Sequence, residues 1–337
     1  MVQCFKTIFY DIIGVCNAKC PYCLSGRFRQ TQGNPVSPEQ FQETIQTLRH
    51  NHILRKNGVI SLYNWGEPFL HPKLPELLDI LNQFDCRYAF STNASNVPTI
   101  DAHFTRNLDQ ITFSMPGFSQ TSYDRIHGFN FATITRNIER IVAECRSHHY
   151  TGRFTVSFHA YRFNLKEIRL CEQFCNRLSI LFNPYSAILN NWWDINAWIA
   201  GTLPFERQQA ISDDLLDFDI WQKLKKSPSR YLCPQYRMLV IDENSNVLLC
   251  CQVPKGENFS CGNLLQNDFA SIMSNRFHHK VCGTCIKSGL AYYFNTSLVA
   301  PKSYQKTIPQ RIKRFEYIAK KAFRDLYFAI KKSGRQD

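Results

Sequence analysis

Six short apolar runs, separated by stretches of helical periodicity, limit what this chain can fold into more than any other feature. Residues 7–15, 59–63, 88–91, 110–114, 154–159 and 179–182 are dense in β-branched and aromatic side chains and end at turn-forming residues, which predicts strands. Between them, Phe41, Ile45, Leu48 and Ile53 keep helical spacing to about Arg55, as do Leu74, Leu77, Leu78 and Leu81. Longer helices are predicted over about 132–148 and 165–177. The run Ser37-Pro38-Glu39-Gln40 predicts a helix start, with Ser37 as N-cap, Pro38 in the first turn and Gln40 closing a capping box. Strands alternating with long helices imply parallel βαβ units with right-handed crossovers. Six units fall short of a closed eight-unit barrel, so the expected fold is α/β, a partial (β/α)6 TIM-like barrel.

Chemistry in such barrels collects at the C-terminal strand ends, and the unusual residues lie there. After the first strand comes Cys16-Asn17-Ala18-Lys19-Cys20-Pro21-Tyr22-Cys23; after the second, Trp65-Gly66-Glu67-Pro68; after the third, Ser91-Thr92-Asn93; after the fourth, Ser114. Three thiols spaced four and three residues apart can turn toward one point from a single loop. Thiolates are the usual protein ligands of iron–sulfur clusters, and a cubane held by three of them keeps one iron open to a cofactor. The competing readings are a zinc site and unrelated core thiols. Zinc knuckles usually bring two CxxC-like pairs, and no fourth ligand lies near these three in sequence.

The CxxxCxxC spacing with these strand ends resembles the radical SAM superfamily over the first 185 residues or so. The resemblance implies that Cys16, Cys20 and Cys23 hold a [4Fe–4S] cluster whose fourth iron is chelated by S-adenosylmethionine. It implies Tyr22 beside the adenine, and Trp65, Gly66 and Glu67 at the methionine amino group, with Trp65 standing where the family has glycine. Ser91, Asn93 and Ser114 match polar positions contacting the methionyl and ribose parts; the competing reading for each is capping of the following helix. The family's first step is one-electron cleavage of the sulfonium to a 5′-deoxyadenosyl radical, which removes hydrogen from an unactivated C–H bond.

From about residue 186 the alternation stops. Asn190-Asn191-Trp192-Trp193-Asp194 and Trp198 form an aromatic bridge, followed by Cys233, Cys250-Cys251, Cys261 and Cys282-Gly283-Thr284-Cys285. A hairpin is predicted from residues 238–241 and 247–249. This order resembles the superfamily's C-terminal SPASM/twitch extension, with Ser245 where the hairpin usually has glycine and no cysteine after Cys285. That implies the shorter twitch type, with one auxiliary [4Fe–4S] cluster on Cys233, Cys250, Cys282 and Cys285. Cys251 could replace Cys250, and four-cysteine zinc is the alternative. Cys4, Cys86, Cys145, Cys171 and Cys175 read as core or surface thiols, and Cys261 as a candidate hydrogen donor. The expected domains are therefore 1–185, the radical SAM partial barrel; 186–230, the bridge; 231–300, the small cysteine-rich twitch-like domain; and 301–337, a basic amphipathic C-terminal helix.

That tail explains most of the net charge of +13: residues 302–337 hold eleven Lys or Arg against three acids. A helix docked on the barrel or lying on an anionic membrane is expected there. No RNA-binding module accompanies the charge, so nucleic acid is not the expected partner. No signal peptide and no apolar run of membrane-spanning length is evident. Fourteen clustered cysteines then suggest metal ligation in a reducing cytoplasm, with peripheral contact at the membrane's inner face. The expected function is a radical SAM oxidoreductase or epimerase acting on a sugar, cyclitol or glycan precursor, lipid- or nucleotide-linked in one variant, served by a flavodoxin or ferredoxin. A peptide maturase is the alternative; little chain precedes Cys16 for a precursor-binding domain. A non-catalytic, zinc-bearing nucleic-acid adaptor is the alternative of another class. His159, Arg162, Trp192, Asp194 and Arg237 lie near strand ends or the bridge, and none is assigned as catalytic.

Overall fold

The computed structural model describes residues 4–28, 33–216 and 233–296. They belong to one compact unit, Met1–Val299; the other unit, Ala300–Asp337, and with it the expected basic helix, lies outside the described residues. The order is β1 (Phe5–Tyr10), α1 (Leu24–Phe28), α2 (Pro38–His50), β2 (Leu54–Ser61), α3 (Leu74–Gln83), β3 (Arg87–Thr92), α4 (Ala102–Thr105), β4 (Leu108–Met115), α5 (Gln120–Arg125), α6 (Phe131–Ser147), β5 (Arg153–Ala160), α7 (Ile168–Leu178) and β6 (Leu181–Ser186). Strands β1 to β6 lie side by side in chain order, all parallel. The fold is α/β with a mostly parallel sheet, as the alternation predicts.

Sheet and helices enclose Ile8, Ile60, Tyr88, Phe90, Ile111, Phe113, Val156 and Phe158, all buried. Beside β3, Phe90 stacks on Phe104 and meets Phe69 edge-on. Burial of such side chains from water is the main force holding the layers together.

Local chemistry moves several boundaries. The first strand stops at Tyr10, short of the predicted Val15, because the buried Asp11 carboxylate accepts hydrogen bonds from the backbone N–H groups of Gly14, Trp65 and Gly66 and bends the chain away from the ladder. Gly14 makes that bend at φ 70°, where side chains are disfavoured. Helix α2 ends at His50 rather than near Arg55: His52 takes a left-handed φ of 54°, after which Ile53 leads into β2. Ser37 does cap α2, its hydroxyl accepting from Gln40 N. The capping box does not form, because the Gln40 side chain donates instead to Glu243 O and Ser245 Oγ, 3.1 and 3.0 Å away.

The second half joins the same sheet. β7 (Met238–Ile241) pairs in parallel with β1 on the edge opposite β2, and β8 (Asn246–Leu248) and β9 (Ser260–Asn263) extend it antiparallel. The predicted hairpin is therefore present and continuous with the parallel sheet. Ser245 sits in its turn at φ 65°, which is why glycine is favoured there. Its buried hydroxyl, bonded to Gln40 and Thr44, offsets that cost. Residues 192–214 form α8 (Trp192–Ile199) and α9 (Phe205–Asp214). Among the described residues no helix is long and apolar enough to cross a membrane.

Candidate functional site

At the C-terminal ends of β1 to β5 the strands surround a cavity of about 350 Å³. Its wall contains Cys16, Cys20, Cys23 and Tyr22 from the first loop; Trp65, Gly66 and Glu67 after β2; Ser91 and Asn93 at β3; and Ser114 at β4. All ten residues named from the first half of the sequence thus face one space.

The cysteine loop is pinned from several sides. Leu24 N donates to Asn190 O and Asn190 N to Tyr22 O, so the chain beyond β6 pairs with the loop. Lys19 N donates to His127 O. Arg207 of α9 donates to Pro21 O and pairs with Asp194, which also meets Arg27. Tyr22 donates to Asp214, whose carboxylate also pairs with Arg125, and the ring lies beneath the Arg207 guanidinium at 5.3 Å. Tyr22 is thereby both a wall of the cavity and a bolt for its loop. Asp194 is part of this clamp, and Arg162 donates to Ser212 O at its far end.

Trp65 and Gly66 are held by Asp11, and a Cβ on Gly66 would come within 2.6 Å of an Asp11 oxygen. The indole of Trp65 points out of the loop and donates to Val253 O at 2.9 Å, so a large side chain is accommodated where the resemblance expects glycine. Glu67 is buried, its carboxylate accepting from Thr92 Oγ1 and Asn93 N, each at 2.6 Å, and from Phe69 N at 3.2 Å. Burial outweighs these bonds and raises its pKa to about 7. Asn93 donates to Asn17 Oδ1 at 2.9 Å and approaches Cys16 Sγ at 3.9 Å, while its Oδ1 accepts from Ser95 N. It braces the cysteine loop and turns its own chain.

The three thiols are not free nucleophiles. Burial, with Glu67 next in effect, pushes Cys16 to about 12, and burial likewise raises Cys20 and Cys23. Buried thiols of this kind become thiolates only beside a cation. Thiolates on one zinc ion lie roughly 3.8 Å apart by tetrahedral geometry. Among the described residues no three Cys, His, Asp or Glu groups gather tightly enough for a single metal ion. The three thiols do line one cavity, where each could take a different iron of a cluster.

Beyond the thiols the wall changes character. Ser114 Oγ lies 3.4 Å from His159 Nε2, with His127, Tyr161 and Tyr185 nearby. Burial lowers His159 to about 4 and His127, which also feels His159, to about 3, so both imidazoles are neutral near pH 7. No Lys or Arg lines the cavity among the described residues.

The radical SAM superfamily model matches residues 10–159. Over those residues, a little under half of the chain, it is similar to that superfamily. A curated relative, GTP 3′,8-cyclase of Chlorobaculum tepidum (strain ATCC 49652 / DSM 12025 / NBRC 103806 / TLS), is 25% identical over 146 residues, 41% of this chain and 42% of that protein. The chain thus spans well under half of that relative's length. Among solved structures, SuiB of Streptococcus suis bound to S-adenosylmethionine superposes with a TM-score of 0.55 at 12% identity, covering 85% of this chain and 68% of SuiB. Native anSMEcpe with bound AdoMet gives 0.51 at 13% identity, covering 83% and 86%. At such identities the likeness speaks for fold alone. Members of the radical SAM superfamily are enzymes, and the family implies a [4Fe–4S] cluster and SAM.

Outside the matched residues a second thiol group lines a tight cavity of about 40 Å³. Cys233 precedes β7, Cys250 follows β8, and Cys282 and Cys285 share the helix Lys280–Lys287. Cys251 is not in this wall; its Sγ meets Gln235 Oε1 at 3.3 Å and Gln252 Nε2 at 3.7 Å. Gln252 lines both cavities. Trp192 lies in the second wall, where its position in the bridge gave no hint of this. Sequence reasoning passed over His127, Gln252 and the buried Asp11–Lys255–Glu243 cluster, with Lys255 Nζ 3.0 Å from Asp11 and 2.5 Å from Glu243. The one available signal was Asp11, a lone acid inside an apolar run.

Proposed function

We propose that this chain is a radical SAM enzyme with one auxiliary [4Fe–4S] cluster, removing hydrogen from a small, neutral, polyhydroxylated molecule of the sugar or cyclitol class. The observation that carries this reading is the single cavity that joins the Cys16, Cys20 and Cys23 thiols to a wall that, among the described residues, offers hydroxyl, imidazole and phenol groups and no Lys or Arg. Neutral donors and acceptors suit substrate hydroxyls, whereas a phosphate at this depth would call for Lys or Arg. That weighs against carrying over the nucleotide named in the distant GTP 3′,8-cyclase match.

When bound, the first cluster and SAM supply the 5′-deoxyadenosyl radical. The residues of the chain supply everything else. Cys16, Cys20 and Cys23 would hold the cluster, Asp11 fixes the Trp65–Gly66 backbone, and Glu67 keeps a lone pair for an ammonium group. Ser91, Asn93 and Ser114 would contact the SAM, and His159, 3.4 Å from Ser114, would orient a hydroxyl beside the carbon that loses hydrogen. Cys233, Cys250, Cys282 and Cys285 would hold the auxiliary cluster, which supplies an electron acceptor one side chain, Gln252, away from the first cavity. That adjacency favours dehydrogenation over epimerisation. A flavodoxin- or ferredoxin-like donor would supply the electrons, and association of the basic tail with an anionic membrane remains part of the proposal.

The test is an anaerobic assay with SAM, a reductant and candidate sugars or cyclitols deuterated at single carbons. Deuterium in 5′-deoxyadenosine together with a ketone product is the expected result. The peptide reading draws on the likeness to SuiB bound to precursor peptide SuiA and to anSMEcpe with the Cp18Cys peptide. Deuterium transfer from a labelled peptide, and from no sugar, would replace the proposal with that one.

A further inference from the structure

Arg276 lies in the helix Phe269–Phe277 and has none of its surface exposed; it is the only Lys or Arg so buried among the described residues. Enclosing a guanidinium without an anion is costly, so buried arginines normally meet a carboxylate. Here none does so among the described residues. Nε donates to Leu249 O at 3.0 Å and Nη2 to Gln235 O at 2.8 Å, and Nη1 is buried without an acceptor. Leu249 and Gln235 both line the second thiol cavity, so the charge sits directly behind its wall. The ionisable groups that face it are thiols, Cys250, Cys261 and Cys282, together with the Tyr236 phenol, whose ring centre is 5.8 Å away.

Two carbonyl dipoles cannot neutralise a full charge, so the folded protein calls for an anion at this place. We infer that Arg276 is the fixed counter-cation of the group held by Cys233, Cys250, Cys282 and Cys285, and that it favours the reduced state of that group. The inference rests on the proposed auxiliary cluster. Four thiolates outweigh the positive charge of an iron–sulfur core, and each added electron makes the whole more negative. A cation in a low-dielectric wall therefore stabilises the reduced form more than the oxidised one. Arg276 acts through the cluster; it is a positioning residue for charge and does not touch substrate.

The test uses the full chain with Cys16, Cys20 and Cys23 all changed to Ala, so that the second site alone is loaded and followed by EPR during an anaerobic potentiometric titration. Arg276→Gln and Arg276→Met should each shift the one-electron reduction equilibrium at least tenfold toward the oxidised form, about 59 mV downward. Arg276→Lys, which keeps the charge and loses the fork, should stay within about threefold of the parent, roughly half that interval. If the neutral variants cannot hold iron, the inference requires that Arg276→Lys still does. Neutral variants that titrate at the parent's potential would overturn it, as would a Lys variant displaced or emptied as far as the Met variant. Metal analysis of the parent separates the underlying reading from the inference: zinc in place of iron at the second site sinks both, whereas iron with no charge-dependent shift sinks only the role of Arg276.

Discussion

The two thiol groups differ in how their ligand atoms are delivered. Cys16, Cys20 and Cys23 come from one eight-residue loop, clamped by Arg207, Asp214 and Asn190 and facing a roomy cavity of about 350 Å³. Cys233, Cys250, Cys282 and Cys285 come from three separate segments and close around about 40 Å³ of mostly apolar wall. A loop that supplies three thiols leaves a face open, and the strand ends furnish that face with hydrogen-bonding groups. Segments that converge from three directions surround what they hold. The first arrangement suits a site that must admit a cofactor and a substrate; the second suits one that exchanges only electrons.

This contrast can be broken most directly at the first group. Changing Cys16, Cys20 and Cys23 together to Ala should abolish 5′-deoxyadenosine formation and remove about four irons per chain, leaving about four at the second site. Iron analysis with chromatography of the nucleoside product checks both halves, and persisting cleavage refutes the assignment. At the second group, Cys250→Ser should lower the auxiliary iron content severely, whereas Cys251→Ser, whose thiol is engaged with Gln235 and Gln252 outside the wall, should leave it near the parent value. Equal losses in both would mean that the wall is drawn wrongly.

Smaller effects sharpen the difference in openness. Glu67→Gln keeps the shape of the site but removes the charge that would meet an ammonium group, so SAM affinity should fall about 10- to 100-fold, the worth of one charge-assisted hydrogen bond. Isothermal titration measures it, and unchanged affinity would take Glu67 out of the site. An effect of another kind is expected on pH stability. The folded pKa of His127 lies near 3 against an ordinary 6.5, so as pH falls below 6.5 the unfolded chain binds that proton first and stability is lost toward pH 3. His127→Gln should flatten the acid limb of a denaturant-stability profile by on the order of 3 kcal/mol between those limits. A profile parallel to that of the parent would show that His127 is hydrated.

The six parallel strands were legible because each is a dense local run, and local runs carry their own signal. The position of β7 was not, since its partner β1 lies more than two hundred residues earlier and nothing in residues 238–241 records the pairing. Gln40 shows the same limit at the scale of one side chain: its spacing from Ser37 suits a capping box, but tertiary contacts with Glu243 and Ser245 prevail. The Trp-rich bridge gave no clean period, and its two helices take their meaning from Asp194, Arg207 and Asp214 reaching back to the cysteine loop. The ten named residues of the first half could be found because parallel strands deliver their C-terminal ends to one edge of the sheet. His127 and Gln252 carry no such positional mark.

The junction between β1 and β7 bears on how the polypeptide emerges from the ribosome. Strand β1 is made more than two hundred residues before β7, and one of its hydrogen-bonding edges waits for residues 238–241. Until then the nascent sheet presents an unpaired strand next to its future cysteine loop, the kind of edge that recruits foreign strands. So distant a pairing also slows closure. The strand that carries the first cysteine loop is therefore fully paired only once residues 238–241 have been made.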